Sequence, residues 1–182
     1  MTAEGDAMDG RTPRRLAFGL VALTLALMVS GEALGIASGA EEPTSAFLWA
    51  IAVVFSLVGA LVAIRHPGNA IGWIFLSVGV AAGLGALTGG YADYWVGGHG
   101  GSKALGEAAA AYASYSWVAF ILVPATFLLL LFPDGRLLSP RWRWVAWSAS
   151  AGIAGSFVTG ILTPGPLEDY PEIVNPFGVS SS

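Results

Sequence analysis

Glu32 is the residue whose type and position are most suited to chemistry, because it is the one carboxylate inside a long apolar stretch. An ionisable group at such depth acts as a proton relay or a ligand contact. It can equally be held protonated, snorkel to the outer interface, or hydrogen-bond a small residue across a helix contact. The other candidates lie in polar segments. His66 precedes a proline and has no helical acidic partner after it, which argues against a phosphoacceptor. His99 sits among glycines, so it is either a pH-sensing group or a solvated loop histidine. Asp134 lies close in sequence to Arg136, Arg141 and Arg143, which allows a loop ion pair. An exposed pair of that kind contributes only about 0 to 1 kcal/mol.

Other chemistries are excluded by composition. The 182 residues contain no cysteine and two histidines, so disulfides, thiolate-held zinc and iron–sulfur clusters are ruled out, and the histidines alone cannot hold a metal. There is no nucleophile with its base, no paired catalytic carboxylates and no glycine-rich phosphate loop followed by lysine. The chain is therefore read as a non-enzyme without cofactor. Nucleic-acid binding finds no basic patch to support it.

The elements that carry these residues follow from hydropathy. With 55% apolar and 11% charged residues, the chain cannot clothe a water-soluble globule. Five apolar stretches, at about 16–39, 46–64, 71–90, 116–132 and 144–162, approach or exceed the roughly 20 residues that cross a 30 Å hydrocarbon core. The expected fold is an all-α membrane protein, a bundle of five transmembrane helices occupying residues 16–163. Residues 1–15 read as a disordered cytoplasmic tail and 164–182 as an extracytoplasmic tail rich in proline and acid that nothing ties to the membrane. Glu32 does not undo the first span. Its ten Leu, Ile, Val and Phe residues contribute roughly −3 to −6 kcal/mol against about +2.5 to +3.5 for the acid.

Local signals punctuate the spans. Residues 65–69 form a tight turn, with Pro67 presetting φ at i+1 and Gly68 tolerating positive φ at i+2 of a type II turn. Residues 91–115 read as the longest loop, flexible around its glycines and then helical from Glu107. Pro124 removes the hydrogen bond to the Phe120 carbonyl and should kink the fourth span, which Pro133, Asp134 and Gly135 then stop. Gly31, Gly35 and Gly39 recur every four residues and permit close backbone approach. Gly152 and Gly160, with Ser148 and Ser156, form a similar stripe in the fifth span. These stripes pack within the bundle, with Gly79 and Gly83 as further partners, or mediate self-association.

Charge sets the orientation. Seven of the eight Lys and Arg residues fall on one side, leaving Lys103 on the other. By the positive-inside rule the amino terminus is cytoplasmic and the carboxyl terminus extracytoplasmic, together with Glu41, Glu42, Asp93, Glu107 and the acidic tail. The seven tryptophans cluster near span ends, as interfacial anchors do. A rival reading makes residues 11–40 a signal peptide cut after small residues near Ser38 and Ala40; the apolar run exceeds the roughly 7 to 15 residues of a signal core.

Three segments carry a family resemblance. They are His66-Pro67-Gly68-Asn69-Ala70-Ile71-Gly72-Trp73, the run from Leu131 through Pro133-Asp134-Gly135-Arg136 to Arg143, and Asn175-Pro176-Phe177-Gly178. Together they resemble the amino-terminal membrane region of actinobacterial sensor histidine kinases, where the patterns run PGNPIGW, LFPDGRLPSPRWR and NPLG in the same order. The resemblance spans residues 46–178, with Ala70 and Leu138 where proline is usual. In that family a sixth span, a dimerisation helix with the phosphorylated histidine, and an ATP-binding domain follow. None of these is in the 182 residues. The resemblance thus implies a bacterial plasma-membrane sensor or input domain without a transmitter, either a severed kinase or a standalone partner of one. It would act through lipid, through itself or through a kinase, on a ligand the sequence does not name. A small transporter or channel subunit is the alternative, with Glu32 and Pro124 lining a path; a non-functional relic is a third.

Overall fold

A computed structural model describes residues 11–39, 46–132 and 134–179. Of the disordered tail expected at 1–15, residues 1–10 lie outside the described residues, as does Pro133, whereas residues 11–15 are helical and begin α1. The described helices are α1 (Arg11–Ala37), α2 (Ala46–Arg65), α3 (Ala70–Val96), α4 (Lys103–Tyr115), a π-helical segment (Val118–Leu122), α5 (Val123–Leu131) and α6 (Trp142–Leu162). Five helical runs are long and apolar enough to cross a membrane, the fourth comprising α4, the π-helical segment and α5 from Lys103 to Leu131. No strand occurs among the described residues beyond one isolated bridge.

α3 is the axis of the bundle, and small residues make it so. α1 packs parallel to it in a seven-residue register. An added Cβ at Gly83 would meet the Thr24 carbonyl at 3.0 Å, while one at Gly90 would strike the backbone of Gly31. Ala17, Thr24 and Gly31 are all buried along this line. α2 packs antiparallel on another side of α3, where a Cβ at Gly59 would lie 2.8 Å from the Leu76 nitrogen and one at Gly72 would lie 2.6 Å from the Ala63 nitrogen. Such contacts bring backbones together and gain dispersion energy where lipid offers no hydrophobic drive between helices.

The glycine stripes differ from expectation. Of Gly31, Gly35 and Gly39, only Gly31 meets a neighbouring backbone; Gly35 has open space beside it. Gly39 instead stops α1, with φ +77° and its N–H donating to the Ile36 carbonyl at 3.1 Å. In α6, Gly152 meets nothing within 4 Å, and Gly160 lies against the Tyr115 ring. α6 has no buried residue at all. The four-residue spacing marks one side of a helix, but which neighbour lies there is decided by the seven-residue register with α3.

Two boundaries also move. α3 continues to Val96, past the end expected at residue 90, and α4 begins at Lys103, so the loop shrinks to residues 97–102. Gly90 lies within the helix and serves packing, while Gly98, Gly100 and Gly101 take the positive φ values that reverse the chain. At Pro124 the disruption takes a specific form. The π-helical segment ends two residues before it, so the ladder widens around Phe120, whose carbonyl the missing N–H would have served.

The carboxyl-terminal segment is folded onto the bundle, contrary to the expectation of an untied tail. Pro166 and Val174 form an antiparallel bridge, with the Leu167 N–H donating to the Ile173 carbonyl at 3.0 Å. Leu167 and Ile173 are buried against Ala92, Ala109, Ala110 and Ala111 of α3 and α4.

Candidate functional site

The α1–α3 register places Glu32 less than one turn from the level of Asp93, at the end of the bundle remote from the arginines. Between these helices opens a cleft of about 330 Å³, lined by Glu32 of α1, Asp93 of α3 and Asp169 of the carboxyl-terminal segment. Gly35 and Gly89 leave its walls without side chains, and Ser116, Trp117 and Phe120 close it at the start of the π-helical segment. Its apolar side is formed by Ala82, Ala86 and Phe120, which belong to or pack on the cluster around Met28 and Ala52.

Each acid has a different setting. The Trp49 Nε1–H donates to Glu32 Oε2 at 3.2 Å, tying α2 to α1 across the cleft mouth. The Tyr170 hydroxyl lies 3.1 Å from Asp93 Oδ1 and 3.3 Å from the Gly89 carbonyl, so it clasps the carboxyl-terminal segment to α3. Burial, reinforced by the Asp93 carboxylate, pushes the Tyr170 phenol well above the ordinary tyrosine range, which keeps it a donor at any physiological pH. Asp169 follows from this clasp, since it directly precedes Tyr170.

Three carboxylates and no lining lysine or arginine make this a cleft for positive charge. No nucleophile–base pair is assembled in it. Among the described residues no group of three His, Cys, Asp or Glu could hold a metal ion. Sequence reasoning found Glu32 but missed Asp93, Asp169 and Tyr170. Asp93 was readable in principle, because residues 91–96 contain no helix breaker before Gly97 and so continue α3.

The motif residues sit elsewhere and shape turns. At the opposite end, the Asn69 N–H donates to the His66 carbonyl at 2.8 Å, closing the expected turn. Gly68 does not take positive φ, so the turn is not type II. The reason is the residue that follows: Asn69 must leave the turn in an extended conformation, φ −89° and ψ 114°, to cap α3 by accepting the Ile71 N–H at 2.9 Å. The Trp73 indole N–H donates to the Pro67 carbonyl at 3.0 Å. Gly135, at φ +69°, ends α5 by donating to the Leu131 carbonyl at 2.7 Å and presses against the Asn69 side chain. The first two motifs are thus one contact. Asp134 and Arg136 line the open basin there with His66, and Asp134 forms no ion pair with Arg136, Arg141 or Arg143.

The third motif caps α6. Asn175 Nδ2 donates to the carbonyls of Ile161 and Thr163, each at 2.8 Å, while its Oδ1 accepts the Phe177 N–H across Pro176 at 3.1 Å. Gly178 is needed for closeness, since a Cβ there would stand 2.8 Å from Pro164 Cα. His99 stacks at 5.1 Å on Tyr94 and is exposed, away from the cleft.

The class defined by this architecture is a bundle of five helices of membrane-spanning length. No protein-family model, curated protein or solved structure matches the chain.

Proposed function

We propose that this chain is a multi-pass membrane protein of the sensor-input kind, receiving a small cationic species in the acidic cleft and passing the change to the arginine-bearing turns. The observation that carries this reading is the cleft itself, in which three separate segments each supply a carboxylate. In this reading the cleft is extracytoplasmic and the amino terminus cytoplasmic, as the arginine distribution demands. Supporting a sensor over a transporter, the cleft is bounded on the bundle side by Ala82, Ala86 and Phe120, which belong to or pack on the apolar cluster around Met28 and Ala52. Coupling is carried by the fourth span, whose π-helical start lines the cleft and whose end holds Gly135 against Asn69. Transmission beyond this chain would pass to a kinase or a second copy through helix contacts in the bilayer.

Two measurements test the proposal. The chain has no native cysteine, so Ser102→Cys and Ser139→Cys each give a single label site. An impermeant maleimide should modify Ser102→Cys from outside intact cells and reach Ser139→Cys only after permeabilisation; the reverse pattern sinks the orientation. For the cleft, the reconstituted protein is titrated with ethylammonium while the chemical shift of 15N-labelled Trp49 indole is followed. A saturable shift that Glu32→Gln with Asp93→Asn abolishes supports a cation receptor. A flat titration removes it, and cation flux into vesicles that Glu32→Gln abolishes would establish the transporter instead.

A further inference from the structure

Among the helices, α6 packs mainly on the fourth span, including α4, and an apolar groove of about 450 Å³ runs along that seam. Val123 and Phe127 form one wall; Ser150, Ala154 and Phe157 form the other. The Ser150 hydroxyl donates to the Ala146 carbonyl at 2.8 Å, so it offers no free polar group to an occupant. Nearer the amino-terminal end of α6, Arg143, Trp144 and Trp147 line a second depression of about 230 Å³.

Helical periodicity joins the two. Arg143, Ser150 and Phe157 are spaced by seven residues and so share one side of α6. At 1.5 Å per residue the groove begins about 10 Å from Arg143 and ends about 21 Å from it. Half of a bilayer, headgroups included, is about 20 to 22 Å. A cation at phosphate level would therefore stand directly above an apolar slot reaching the bilayer centre.

The charge also calls for an outside partner. Arg141 and Arg143 flank the first residue of α6, where the helix dipole is positive and no acid lies in the first turn. Both are exposed, and Lys103–Glu107 is the ion pair present among the described residues. We propose that this seam binds one anionic phospholipid of the leaflet at the arginine-bearing end. Arg141 and Arg143 would hold its phosphate, Trp144 and Trp147 would flank the headgroup, and one acyl chain would lie in the groove.

The proposal rests on the membrane reading, and the test separates the two. Carbonate extraction of cell membranes comes first; a chain released by carbonate sinks the membrane reading. The retained, detergent-solubilised protein is then titrated with phosphatidylglycerol or phosphatidylcholine and weighed by native mass spectrometry. Phosphatidylglycerol adducts should form about tenfold more tightly. Arg141→Gln with Arg143→Gln should remove that preference, Ala154→Phe should weaken adducts of both lipids by filling the groove, and Arg65→Gln should change nothing. Equal binding of both lipids, or a preference that survives the double variant, overturns the proposal while leaving the membrane reading intact. So does a protein dimer, in place of lipid adducts, that Ala154→Phe abolishes.

Discussion

The α1–α3 unit and α6 carry similar small-residue spacing and use it in opposite ways. In the first, glycines at 31, 59, 72 and 90 allow backbones to touch, and a Cβ at any of them would meet a neighbouring backbone atom. In α6, Gly152 and Gly155 face open space, and no residue is buried. A stripe of small residues permits close packing but does not create it. What turns permission into contact is a partner held at the matching height by a short connection, as α2 and α3 are held by the turn at residues 66–69. α6 reaches the bundle through the longer segment 132–141 and, among the helices, leans mainly on the fourth span, with residues 175–178 capping its end.

The largest test of this contrast is a pair of leucine substitutions. Gly90→Leu forces α1 away from α3 and should cost about 3 kcal/mol, at the upper end of overpacking effects. Gly152→Leu should leave stability within about 0.5 kcal/mol, as exposed sites do. Thermal unfolding in one detergent measures both, and equal losses would erase the distinction.

Asn175→Ala gives the next effect. It removes two bonds to the α6 carbonyls and the turn at Phe177, worth together about 2 kcal/mol. The loss should be local, seen as faster amide exchange in residues 161–179 with the α1–α3 amides unchanged. Exchange rising equally in both would mean that α6 and its cap belong to the same cooperative unit as the core.

Smaller still, Tyr170→Phe should cost about 1 kcal/mol by deleting the clasp to Asp93 and Gly89. It should expose the cleft, read as increased proteolysis within residues 164–179. The alkaline behaviour follows from the raised phenol. Below its ordinary value of 10.0 the group is neutral folded and unfolded, so stability is flat. Above it, the unfolded chain loses the proton first, and stability falls as pH rises toward the elevated folded value. The difference between wild type and Tyr170→Phe should shrink above about pH 10; a difference constant to pH 11.5 would separate the clasp from the phenolic proton.

Much of the fold was legible because its causes are local. Runs of Leu, Val and Ala at 46–64 spell a helix too apolar for water, and His66-Pro67-Gly68-Asn69 spells its reversal. The proline at 124 announced a break in the fourth span, though not that it would take the π-helical form. Glu32 was visible as an acid out of place. Asp93 falls in a loop on the sequence reading because the apolar stretch thins out near residue 90, where a polar helical extension carries no hydropathy signal. Asp169 and Tyr170 were read as an unattached tail because nothing within a few residues of them indicates where they dock.

The sequence by itself determined the number of membrane-length helices, their order, the segregation of arginines to one end and the place of the turn between α2 and α3, since each depends on residues within a few positions of one another. Only the tertiary structure decided that Gly31 meets Gly90, that Tyr170 reaches Asp93, and that three carboxylates share one cleft. Those contacts join residues about 60 to 140 positions apart, whose meeting depends on the heights at which whole helices settle against α3.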